Sequence, residues 1–283
     1  MDNSYGLKEV QENNLRLLNE IDRICRKYGI SYMLDAGTLL GAIRHKGFIP
    51  WDDDADIVMR RESWEAFAKV VRNELPKDME LVTPEDFAEN NKFYDFTPRL
   101  MLKTSRRHNP NVESAYYDEK MNHLWVDIFI LDNLPDGKLG TWYAKTLQKF
   151  IYSFAMGHRR KLSWENYSTG QKIAVGIFSN IGKLIDMKTI CRWQEKAAKK
   201  DFAKKTKSVY YSNYQPDYLY VTLEKEWVEK TEYAPFEDTE YQVPIHSHEI
   251  LTWVYGDYMK IPDEKDRKAG HGTKEMEFNV IEV

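Results

Sequence analysis

The run Pro50-Trp51-Asp52-Asp53-Asp54-Ala55-Asp56-Ile57-Val58-Met59 sets four carboxylates at the mouth of an apolar strand, where bare repulsion would be costly. A cation is expected there. Side chains of an extended chain alternate faces, so Asp52, Asp54 and Asp56 should point one way and Asp53 the other. Oxygen-only ligands suit a hard divalent ion, and magnesium held by one or two carboxylates plus substrate phosphates is the usual arrangement. The run by itself also fits a plain acidic turn before a strand.

The surrounding pattern alternates helices and strands. Leu7, Val10, Leu17, Ile21, Ile24 and Tyr28 recur at helical intervals up to Gly29, a helix stop. Ile30–Asp35 reads as a short strand, Gly37-Thr38 as a strand-to-helix turn, and Trp64 to Leu75 as an amphipathic helix ending before Pro76. From Phe93 to Lys103 alternate positions are apolar, which predicts a strand with one buried face and Pro98 at an edge or bulge. Leu124–Leu131 is apolar on both faces except for Asp127, and a lone buried charge needs a partner, either a metal or an arginine or lysine. Metal is the expectation here.

Asp132–Gly140 reads as a loop, and three helical patterns follow to about residue 205. Ile173–Ile185 is expected to pack in a core rather than dip into a membrane interface, because Lys172, Lys183 and Lys188 make no strong basic face. The tail from Val209 is rich in Tyr and Pro, and Ser247–Tyr255 reads as a helix closed by Gly256. The division is a core over 1–135, a helical insertion over 136–205 and a C-terminal segment over 206–283. The fold class is α+β, a mixed sheet with flanking helices.

Bulk properties narrow the function. The chain has 283 residues, net charge -4 and a pI near 6.0, so electrostatic capture of nucleic acid is not expected. Cys25 and Cys191 lie in helical patterns and read as reduced and structural. The first residues lack a basic flank and apolar core, and no stretch approaches the roughly 20 apolar residues of a spanning helix. A cytoplasmic enzyme is expected, with association at the inner face of a membrane left open.

Gly37-Thr38 opens a helix whose free amides and positive end suit a phosphate. Together with Asp54, Asp56 and a distant Asp127 it makes a cradle, two metal ligands on one strand and a third carboxylate on another: the layout of a nucleotidyltransferase palm. A metal there neutralises a phosphoryl group under attack, and Asp127 is placed to accept the hydroxyl proton. Arg44, Lys46, Arg99 and Lys103 are candidate phosphate ligands, each with a solvated surface charge as the alternative. An EF-hand starting at Asp52 fails, since Ile57 and Ser63 stand where Gly and Glu are required. The Asp-X-Asp of nucleotide-sugar glycosyltransferases follows its strand, whereas this run precedes one.

The stretch Leu34–Ile57, with Asp35-Ala36-Gly37-Thr38-Leu39-Leu40-Gly41 and Pro50-Trp51-Asp52-Asp53-Asp54-Ala55-Asp56, resembles the signature of the LicD family. Trp253–Pro262, with His271 beyond, is similar to that family's C-terminal block. The resemblance implies a nucleotidyltransferase-like fold and transfer of phosphocholine from CDP-choline to a sugar of a surface glycan or teichoic acid, releasing CMP. Fukutin-type relatives use CDP-ribitol instead. It also implies Asp54, Asp56 and Asp127 as magnesium ligands, with manganese as the alternative ion, Asp52 as an auxiliary acid, and His271 on the substrate side. A choline cage would need aromatic faces and a carboxylate. Tyr210, Tyr211, Tyr214, Tyr218 and Tyr220 are candidates, especially Tyr211 and Tyr214, although an ordinary packed edge is the expected arrangement. Nucleotidyl transfer to a small hydroxylated compound, or a silent nucleotide- or glycan-binding module, stays as the alternative.

Overall fold

The computed structural model describes residues 4–110, 113–162, 164, 167–201, 204–270, 272–273 and 276–280. Helix α1 (Lys8–Tyr28) buries Val10, Leu17, Leu18, Ile21 and Ile24, and Gly29 ends it in the left-handed conformation at φ 64°. Strand β1 is shorter than its apolar pattern, only Met33–Leu34, and leads through Asp35 into α2 (Ala36–Arg44). Next come β2 (Asp56–Arg60), α3 (Arg61–Glu74), β3 (Met79–Val82) and α4 (Pro84–Ala88). Strands β4 (Arg99–Leu102), β5 (Arg106–Arg107) and β6 (Leu124–Leu134) complete the first half.

The main sheet runs β1-β2-β6-β4-β3, and β7 (Ser208–Tyr211) and β8 (Thr222–Glu224) extend it from the far end of β6. Strand β6 is parallel to β2 and antiparallel to β4 and β7, which makes the sheet mixed and the fold α+β. Central position explains its two apolar faces.

Two expectations change here. Only Arg99–Leu102 of the alternating segment is strand, and all four residues are buried because β4 lies between β3 and β6. The polar positions Asp95, Thr97 and Arg99 are buried too, so no solvated face exists. Strand β6 also continues to Leu134 through the expected loop, because Asp132 is held inside by Arg61 (2.9 and 2.5 Å) and by the Ser212 hydroxyl (2.5 Å).

The insertion folds as α5 (Lys138–Ala155), α6 (Thr169–Gly182) and α7 (Met187–Ala198) around a separate core that includes Phe93, Phe96, Tyr152 and Ile190. Helices α5 and α6 pack closely at Gly182, where a Cβ would stand 2.0 Å from the Phe154 carbonyl oxygen. Ile173, Ile177 and Ile181 do not pack into that core; they are exposed on the opposite side of α6 from Val175, Ser179 and Gly182. Both cysteines are buried and free.

The C-terminal segment adds a hairpin, β9 (Thr231–Phe236) and β10 (Thr239–Pro244), then α8 (Ser247–Tyr255), which packs on α2 and ends at Gly256. Strand β11 (Met276–Glu277) pairs with β5. No helix among the described residues is long and apolar enough to cross a membrane.

Candidate active site

The parallel register of β2 and β6 places Asp56 directly beside Asp127. Two bonds fasten the start of α2 to the same spot: the Asp35 amide donates to the Asp56 carbonyl (3.0 Å), and the Asp56 amide donates to the Thr38 hydroxyl (2.9 Å). The Asp52 carboxylate lies over Gly37, where a Cβ would stand 2.6 Å from Oδ2. Glycine therefore lets an acid approach the first helical turn, at the position the sequence assigns to a phosphate. Asp53 is fully buried and borders the same small cavity as Asp54. It accepts from the amides of Gly270 (2.9 Å) and Thr273 (3.0 Å) and from the Thr273 hydroxyl (2.8 Å).

Burial, then the charges of Asp54, Asp127, Asp35 and Asp52, hold the Asp56 carboxyl well above the usual carboxylate range. Burial also raises Asp127, and Arg99 offsets part of that rise. Arg99 Nε lies 2.8 Å from Asp127 Oδ1, an ion-pair distance at an angle outside hydrogen bonding. Its two terminal nitrogens bind Asp95 at 2.8 and 2.7 Å, and Trp125 Nε1 donates to Asp127 Oδ2 at 3.1 Å. The partner of Asp127 in the fold is thus an arginine. Arg99 is a buried clamp between Asp95 and Asp127 rather than a phosphate ligand on an open strand face.

One guanidinium shared by two acids leaves the Asp56 region strongly anionic. Among the described residues, no three His, Cys, Asp or Glu side chains close a metal cage by themselves. An oxygen-only, anionic and incomplete donor set fits magnesium, which takes few protein ligands and completes its shell with water and phosphate. Asp54 and Asp56, whose charges act on one another, are the acids that could hold such an ion. Asp54 also borders a small cavity shared with Arg107, His123 and Trp125.

Beside these acids Tyr211, Tyr214, Tyr218, Tyr220 and Tyr255 line a cleft of about 260 Å³ that also contains Asp35. The Tyr211 hydroxyl donates to Asp35 Oδ1 at 2.9 Å, and burial pushes the Asp35 carboxyl up to about 6. Tyr214 stacks on Phe129 at 4.5 Å and meets Tyr218 at 4.5 Å. Burial and the charge of Asp56 raise the Tyr214 hydroxyl, and Asp35 and Asp56 act likewise on Tyr255, so the cleft and the acids share one field. The tyrosines form a cleft wall, not merely a packed edge. Tyr210 is excluded from it, turned toward Leu134, Leu219 and Gln148.

Other candidates lie elsewhere. Arg44, at the opposite end of α2 from Gly37, donates to the Tyr258 carbonyl (2.7 Å) and to His45 (2.9 Å). Lys46 follows in a left-handed conformation, its carbonyl accepting from the Glu237 amide (2.8 Å). Both are roughly 10 Å along the helix from the cradle. Lys103 sits past β4 and donates to the Lys77 carbonyl (3.2 Å). His271 lies outside the described residues. Asp35 and Tyr255 are not among the sequence-derived site residues, although Asp35 lies in the stretch that resembles the family signature and Tyr255 in the similar C-terminal block.

Residues 29–150 match the family described as LicD/FKTN/FKRP, nucleotidyltransferase domain. Across 94% of its length the chain is 32% identical to the lipopolysaccharide cholinephosphotransferase LicD of Haemophilus influenzae, covering 96% of that protein. The chain belongs to the LicD family. Shorter matches reach uncharacterized proteins of Rickettsia typhi, 39% identical over 24% of this chain and 22% of that one, and Rickettsia prowazekii, 45% identical over 17% and 18%. The matched LicD domain contains Asp35, Asp52, Asp54, Asp56 and Asp127, whereas the tyrosine wall comes from beyond it.

Proposed function

We propose that this LicD-family protein transfers phosphocholine from CDP-choline to a hydroxyl of a surface-glycan precursor of the lipopolysaccharide or teichoic acid type, releasing CMP, in a metal-dependent reaction. The observation that carries the reading is the tyrosine-walled cleft with Asp35 at its edge, whose Tyr214 and Tyr255 hydroxyls feel the charges of Asp54, Asp56 and Asp127. A quaternary ammonium cannot donate hydrogen bonds; aromatic faces and a carboxylate are what holds it. The cleft would seat the trimethylammonium and leave the phosphoryl group over the acids.

The acceptor oxygen forms a new bond to phosphorus while the bond to the CMP oxygen breaks, and the hydroxyl proton passes to a base. Asp127 suits that role. Its carboxyl is raised by burial, and Arg99 and Trp125 fix its orientation. Magnesium at Asp54 and Asp56 would supply charge neutralisation at the phosphoryl oxygens.

The test is product analysis on a panel of CDP-choline, CDP-ribitol and CDP-glycerol with magnesium and a glycan acceptor. CMP release fastest from CDP-choline, abolished in Asp54→Asn and Asp56→Asn with the fold retained, is expected. Tyr214→Leu keeps apolar bulk without the π face, and should weaken CDP-choline binding more than CMP binding. Pyrophosphate release from a nucleoside triphosphate, or full turnover in either Asp variant at saturating magnesium, would overturn the assignment.

A further inference from the structure

Helix α6 presents an apolar stripe to solvent. Ile173, Ile177, Ile181 and Leu184 are 61%, 54%, 44% and 86% exposed, although the core of the insertion lies directly behind them. The first three recur every four residues, a single face of the helix about 12 Å long, and Leu184 falls on the same azimuth just past the helix end. Side chains of this size are not left uncovered in a row by accident of packing, because α6 already buries Val175, Ser179 and Gly182 on its other side.

Charge says what covers the stripe. Lys172 and Lys183 flank the same edge of it, both exposed. Over the insertion, residues 136–205, the sequence contains fifteen Lys and Arg and five acids, within a chain of net charge -4. Positive charge is therefore concentrated on the segment that exposes isoleucine. A second copy of this acidic chain would satisfy the apolar stripe, but the exposed lysines on its edge and the net positive charge of the insertion match an anionic surface better.

We propose that the α6 stripe is a docking surface for an anionic lipid bilayer, lying in the interface plane with the isoleucines among the acyl chains and Lys172 and Lys183 at the headgroups.

The experiment is co-sedimentation of the full chain with vesicles of phosphatidylcholine alone and of phosphatidylcholine mixed with phosphatidylglycerol. Binding to the anionic vesicles only, weakened by salt, is expected. Ile173→Ser/Ile177→Ser and Lys172→Glu/Lys183→Glu should each lower the partition coefficient by roughly tenfold or more. Both variants should keep wild-type circular dichroism and wild-type transfer to a water-soluble acceptor. Partition of the wild type that is equal on neutral and anionic vesicles, or unchanged in the isoleucine variant, refutes the proposal. So does a wild type that elutes as a dimer and becomes monomeric on stripe substitution, which would give the surface to a second copy.

Discussion

Asp35→Asn should make the protein more stable and its donor site worse. Burial raises the Asp35 carboxyl from its ordinary 3.8 to about 6, which corresponds to about 3 kcal/mol against the ionised form once both folded and unfolded chains have lost the proton. The folded chain holds that proton more tightly than the unfolded one. Wild-type stability therefore falls as pH rises from about 4 to about 6 and stays lower above it. Asparagine does not titrate, so the gap between the two proteins opens across that same window. Its amide oxygen still accepts from Tyr211, and about 1 kcal/mol is lost to poorer bonding. A net gain of about 2 kcal/mol at pH 8 remains, a rise in melting temperature of about 3–4 °C for a chain of 283 residues. The melts are run with chelator, from pH 4 to 8. In parallel, the KM for CDP-choline should rise roughly tenfold, while the affinity for CMP, which carries no cation, stays put. A variant that melts at the wild-type temperature at pH 8, or that binds CDP-choline as before, would show that Asp35 neither pays a burial cost nor meets the choline head.

Two further substitutions probe the scaffold. Arg99→Met removes the one guanidinium between Asp95 and Asp127 and should cost about 3–5 kcal/mol, measured by urea unfolding; Asp95→Asn in the same chain should recover part of it. Gly41→Ala would set a Cβ 2.5 Å from the Gly47 carbonyl oxygen, a backbone atom that cannot swing aside, and should lower the melting temperature by several degrees while Gly170→Ala, with nothing within 4 Å, does not.

Helical periodicity made α1, α3 and α8 legible and an unbroken apolar run made β2 legible, because both signals are local to the segment that carries them. Alternation does not divide the carboxylate run, because the strand begins only at Asp56, and Asp53 and Asp54 border one small cavity. The Arg99 clamp was not legible. It depends on a cross-strand register between residues 28 apart, and nothing within Phe93–Lys103 says that its polar positions will be enclosed. The α6 stripe misled for a related reason: an apolar helix face looks the same in sequence whether a core or an outside surface awaits it. Tyr210 and Tyr211 are neighbours in sequence, yet strand alternation sends one into the helical side and the other to the acids.

Asp53 gives the carboxylate run a temporal dimension. Its buried oxygens are satisfied by amides at residues 270 and 273, more than two hundred positions later, while the charge of its immediate neighbour Asp54 acts on Asp56. During synthesis the palm sheet through β6 is available long before those amides exist, and until then Asp53 must remain hydrated. The surroundings of Asp53 are therefore completed only when the segment carrying Gly270 and Thr273 docks, so the backbone beside Asp54 takes its final support from chain made well after the palm sheet.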